Sequence, residues 1–155
     1  VLGILANQRG ERQEAVSWYN RALEANPARA AMAYNNLAHI LLGEGKSLPL
    51  ALALSHTGHV LSPRSWRPDA LDTFADALIR TGYAKMALHP ARVAARAAPE
   101  KGARQLRLGI AEQAAGRPDR AREALQKAAE SAETPQIRDK AKKLLASLSD
   151  PPENK

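Results

Sequence analysis

Apolar residues recur along this chain at helical spacing, yet small ones hold positions that larger apolar side chains could fill. In "GERQEAVSWYNRALEANP", residues 10–27, the small or helix-breaking positions are Gly10, Ala15, Ala22 and Pro27. Leu2, Gly3 and Tyr19 complete the set, and the set recurs. A second copy reads Leu37, Ala38, Gly45, Ala51, Ser55, Gly58, Pro63. A third reads Phe74, Ala75, Gly82, Ala87, Ala91, Ala94, Pro99. The fourth reads Leu108, Gly109, Gly116, Ala121, Leu125, Ala128, with Glu133 in place of the proline.

Each copy predicts two helices. The first stops at the glycine, which can adopt the left-handed conformation of a helix end. The second stops at the proline, which has no N–H to continue the ladder. Pro49 and Pro118 fall near the starts of second helices, where a missing N–H costs little. Two helices of a hairpin approach closely only where the facing positions carry little side chain. The alanines therefore read as packing devices, and enlarging one to Leu would cost ~1–3 kcal/mol. Beyond them, "TPQIRDKAKKLLASL" offers Thr134 as N-cap and Pro135 as first helical residue. Ile137, Ala141, Leu144, Leu145 and Leu148 share one face of that helix, with Arg138, Lys140, Lys142 and Lys143 elsewhere, the pattern of a solubilising cap.

This helix–turn–helix pattern, whose third and fourth copies lie 34 residues apart, resembles the tetratricopeptide repeat family over residues 1 to about 133. The resemblance implies an all-α, right-handed superhelical solenoid. Its units would span about 1–27, 28–63, 64–99 and 100–133, followed by a capping helix over 134–149 and a disordered tail over 150–155. Val1 corresponds to about the sixth position of its repeat, so the first helix reads as truncated and a longer parent array is expected. The chain departs from the family pattern at several places. Ser55 replaces a large residue, which is expected to loosen the second unit. One residue is added in "GEGKSLP" and two in "SPRSWRP". Pro90 falls about two turns into a helix, where it predicts a kink costing ~3 kcal/mol.

Arrays of this family line their concave face with the first helix of each hairpin. By that resemblance the groove draws on Ile4, Asn7 and Gln8, then on Met32, Asn35, Asn36, His39 and Leu42. The third unit supplies Asp69, Asp72, Asp76, Ile79 and Arg80, and the fourth Leu106, Arg107, Ile110 and Gln113. Helical spacing independently puts Asp69, Asp72, Asp76 and Arg80 on one face. Dipole compensation and an Asp76–Arg80 pair would explain the same residues without a ligand. A family variant that clamps a terminal carboxylate is not expected: Asn36 fits, but Asp69 and Thr73 stand where basic residues are needed. Trp66 is expected to staple the helix starting at Pro68, or alternatively to anchor a partner.

Composition narrows the chemistry. Of 155 residues, 45% are apolar but only 4% aromatic, which favours close helix packing over a sandwich of strands. There is no cysteine, so disulfides, thiolate metal sites and cysteine nucleophiles are excluded. His56 and His59 lack carboxylate or thiol companions at ligand spacing, and no phosphate loop, GxSxG or HExxH is present. Neither enzymatic activity nor a cofactor is expected, and no apolar run is long enough to span a bilayer. The net charge of +7 and pI near 10.1 arise mainly from second helices and the cap. The reading is a protein-interaction scaffold that takes a peptide or protein, with a basic segment, in an acidic groove. Nucleic acid is disfavoured by the scarcity of stacking aromatics. The alternative is polyanion binding on the basic convex and C-terminal surface. The Ala/Arg-rich composition suggests a bacterial protein, by analogy one serving envelope assembly, export or sorting; the compartment, cytoplasm or periplasm, and the oligomeric state are left open.

Overall fold

Each turn glycine stands in the left-handed region, with φ of 79° at Gly10, 65° at Gly45, 89° at Gly82 and 72° at Gly116. Two hydrogen bonds close the helix before each one. At Gly45 the glycine N–H donates to the Leu42 carbonyl (3.1 Å) and the Lys46 N–H to that of Leu41 (3.2 Å). At Gly116 the corresponding bonds run to Gln113 and, from Arg117, to Glu112, both 3.0 Å. Carbonyls that a helix end leaves open are thereby satisfied, in a conformation that penalises any L side chain.

The computed structural model describes residues 1–149, which form helices and their connections without a strand among them. In order these are α1 (Leu2–Gln8), α2 (Arg12–Ala25), α3 (Ala31–Glu44), α4 (Leu48–Leu61) and α5 (Arg67–Arg80). There follow α6 (Leu88–Ala97), α7 (Gly102–Ala114), α8 (Pro118–Glu130) and α9 (Pro135–Ser149). A single 3-10 turn, Pro27–Arg29, joins α2 to α3. The chain divides into two units, Val1–Ala77 and Leu78–Lys155. The expected tail over 150–155 lies outside the described residues.

Second helices end as the prolines dictate. Asn26, Ser62 and Ala98, each just before a proline, leave the helical region, with ψ of 85°, 136° and 76°. The proline ring disfavours the helical conformation in the residue before it, so α2, α4 and α6 stop one residue earlier still. At the start of α9, Thr134 caps as expected, its hydroxyl accepting the Ile137 N–H at 3.4 Å.

Two expectations fail for legible reasons. Pro90 kinks nothing, because α6 begins at Leu88 and places the proline in its first turn. The residues before it form tight turns instead, with Met86 donating to Tyr83 (2.9 Å) and Ala87 to Ala84 (3.2 Å). The helix gives up its N-terminal turns, leaving 10 residues against 14 in α2 and α4. Ser55 does not loosen its unit either. It is fully buried and its hydroxyl donates to the Leu52 carbonyl at 2.9 Å. One turn later Gly58 lets the helices close up: a Cβ there would lie 3.1 Å from the Asn35 nitrogen and 3.3 Å from the Ala31 oxygen.

The small residues follow a rule of reciprocal size. Gly3 faces Tyr19, and a Cβ on it would meet the ring at 2.6 Å. Gly109 faces Leu125 in the same register, again at 2.6 Å. In the second repeat the corresponding pair is Ala38 and Ser55, both 0% exposed. Where the first helix gives up its side chain, the second supplies a large one. In the first unit one core cluster gathers Tyr19, Leu37 and Ile40 around Ala6, Ala15 and Ala33, and a second holds Leu42, Ala51 and Ala77. In the second unit Leu106, Leu125, Ala128 and Ala141 form a core covered by Ile137, Leu144 and Leu148 of α9.

Candidate functional site

The first unit carries the acidic strip. Asp69 lies in the first turn of α5 and is exposed, while Asp72 and Asp76 are half-buried. Positions i, i+3 and i+7 keep the three within one side of the helix, over ~10 Å of its length at 1.5 Å per residue. Asp69, Asp72 and Asp76 each take part in an interaction within the protein. Between them Thr73 is buried and donates to the Asp69 carbonyl at 3.4 Å. Arg80 ends the helix and is exposed.

On α3, His39 and Met32 are exposed and Asn36 is half-buried. The Asn36 amide donates to the Tyr19 hydroxyl at 3.1 Å. Burial raises the tyrosine pKa above its ordinary 10.0, and this hydrogen bond lowers it by less. Asn35 and Leu42, 6% and 2% exposed, turn inward and give a partner no surface. In the first helix Ile4 packs on the core while Asn7 and Gln8 are exposed.

In the second unit the geometry redirects two expected groove residues. Leu106 is buried in the core with α8 and α9, and Ile110 packs against that core. The cap helix α9 covers this side of α7, so these two expected groove residues are used in folding. Arg107, Ile79 and Gln113 are half-buried. Trp66 is half-buried immediately before α5, and its carbonyl accepts the Ala70 N–H at 3.4 Å.

An aromatic cluster escaped the sequence reading. The His59 ring stacks on Phe74 at 4.9 Å between centroids, and His56 meets both rings edge-on at 5.4 Å. The i, i+3 histidines thus help dock α4 onto α5. The spacing of His56 and His59 was visible in the sequence, but their common partner 15 and more residues later was not. No group of three metal-ligating side chains occurs among the described residues, and none of their helices is long and apolar enough to cross a membrane.

The tetratricopeptide repeat family model matches residues 1–29. The solved TTC0263, a thermophilic tetratricopeptide repeat protein of Thermus thermophilus, superposes with a TM-score of 0.68 at 25% identity, covering 95% of this chain and 79% of that one. The chain thus carries one segment that matches the repeat model and has the fold of solved tetratricopeptide repeat proteins. MamA from Desulfovibrio magneticus RS-1 matches with a TM-score of 0.68 at 17% identity, over 95% of this chain and 89% of that chain. YrrB, described as a tetratricopeptide repeat protein with an unusual peptide-binding site, gives 0.68 at 18% identity, over 94% and 80%. Curated protein sequences yield no match. The array of helical hairpins therefore has solved counterparts over 94–95% of this chain.

Proposed function

We propose that this tetratricopeptide array is a non-catalytic scaffold that binds a peptide segment or partner protein on the exposed face of its first helices. Asp69, Asp72 and Asp76 would receive a basic part of the partner, with His39 and the exposed edge of Asn36 contributing polar contacts. The carrying observation is one of charge: a protein of net charge +7 gathers three carboxylates along one face of α5. Asn35, Leu106 and Ile110 are left out of this surface because they are buried or packed in the cores. The test is a peptide array probed with the wild-type protein and with Asp69→Lys, Asp72→Lys, Asp76→Lys combined. Wild type should select Lys- and Arg-containing segments, and the reversal should lose them while circular dichroism keeps its helical signal. Selection unchanged by the reversal contradicts the reading.

A second reading rests on α9, where Arg138, Lys140, Lys142 and Lys143 are all exposed. Binding of a polyanion there would weaken steeply with salt, because neutralising several anionic groups releases condensed counterions.

A further inference from the structure

The second unit holds a charged cleft on other helices. About 210 Å³ of space lies between α6, α7 and α8, far more than one water requires. Arg92 and Arg96 enter it from α6, Glu112 from α7, and Arg120, Glu123 and Lys127 from α8. The two carboxylates are matched within the protein. Glu112 is 4% exposed; its Oε1 accepts from Arg92 Nε at 2.8 Å and lies 2.7 Å from Nη2 of the same guanidinium, and its Oε2 faces Arg117 Nη1 at 3.8 Å. Glu123 accepts from Lys127 Nζ at 2.7 Å, and that hydrogen bond and charge hold its carboxyl below the ordinary range, with Arg120 adding a smaller attraction.

Two guanidinium groups remain. Among the described residues neither Arg96 nor Arg120 has a hydrogen bond or an ion pair, and both are exposed. They stand on α6 and α8, on two sides of one cleft, whose lining also includes the apolar Leu108 and Ala124.

We propose that this cleft receives an acidic side chain, Glu or Asp, from a protein partner. Arg96 and Arg120 would hold its carboxylate, since a guanidinium presents paired donors matched to that group. Leu108 and Ala124 would take its methylene stem. The choice of a carboxylate over a phosphate follows from the lining. Glu112 and Glu123 share the cleft and disfavour a dianion, and inorganic phosphate has no apolar part to place on Leu108. The site uses second helices and is independent of the aspartate surface on α5.

The test is fluorescence anisotropy with an end-capped, labelled peptide of alternating Glu and Ala. Arg96→Gln with Arg120→Gln should raise its Kd at least tenfold. Lys140→Gln with Lys142→Gln removes the same charge from α9 and should change it less than twofold. The triple aspartate reversal should not weaken it, so this site and the α5 surface fail or succeed separately. Equal losses in the arginine and lysine pairs would show diffuse attraction to basic surface and overturn the proposal. Displacement of the peptide by inorganic phosphate as effectively as by unlabelled peptide would also overturn it, in favour of a free-anion site. Should the glutamine pair lose helicity, Arg96→Lys with Arg120→Lys keeps the charge but removes the planar fork. It must still cost at least threefold.

Discussion

Gly109→Ala should destabilise this protein, and Leu125→Ala should relieve that damage. A Cβ on Gly109 would sit 2.6 Å from Leu125 Cγ and 2.7 Å from Cδ2, with the Ala121 carbonyl at 3.4 Å. Leu125 is fully buried and has little room to give way. Overpacking of this kind costs ~1–3 kcal/mol, offset by the ~1 kcal/mol that alanine gains over glycine inside a helix. The net loss should be about 1 kcal/mol. Leu125→Ala alone removes a buried leucine and should cost ~2–5 kcal/mol through lost burial and a cavity. Together the two changes give a small–small pair like Ala38 and Ser55, which the second repeat buries completely. The double variant should therefore lose less than the sum of the singles, by roughly 1–3 kcal/mol. Urea unfolding followed by circular dichroism measures all four corners of the cycle. Additivity within ~0.5 kcal/mol would refute reciprocal size as the packing rule of these hairpins.

Two further predictions concern polar groups in the cores. Tyr19→Phe removes the acceptor for Asn36 and should cost about 1 kcal/mol at neutral pH. Because the folded-state pKa of Tyr19 is raised, its contribution is complete below pH 10.0 and is lost as pH rises toward the folded value; the variant should lack that share of the alkaline decline in melting temperature. Glu112→Gln takes the charge from a carboxylate that is 4% exposed and leaves Arg92 without it. The expected cost is about 3 kcal/mol, the low end for breaking a buried pair because Arg92 is 28% exposed; a change below ~0.5 kcal/mol in thermal unfolding would contradict it.

The sequence disclosed its punctuation better than its surfaces. A glycine that must turn left-handed and a proline that extends its predecessor act locally, so Gly10, Gly45, Pro27 and Pro63 could be read directly. Pro90 obeyed the same local chemistry, but the helix met it by starting late, an outcome that periodicity cannot separate from a kink. Ser55 misled because its effect depends on Ala38 and Gly58, residues placed opposite only by folding. Leu106 and Ile110 misled for a related reason. Their helical positions suit a groove in a continuing array, but α9 packs over them here. Neither the stacking of His59 on Phe74 nor the placing of Arg96 and Arg120 in the lining of one cleft is written in local spacing.

Binding of a basic segment at α5 is measured most directly by anisotropy of an end-capped, labelled peptide of alternating Lys and Ala, at low and high salt. Wild type should bind it, and the combined Asp69→Lys, Asp72→Lys, Asp76→Lys variant should weaken binding at least tenfold through close-range repulsion. The Arg96→Gln, Arg120→Gln variant should leave that affinity unweakened. Equal binding of the lysine peptide by wild type and the reversed variant, with helicity intact in both, would contradict the assignment of this surface.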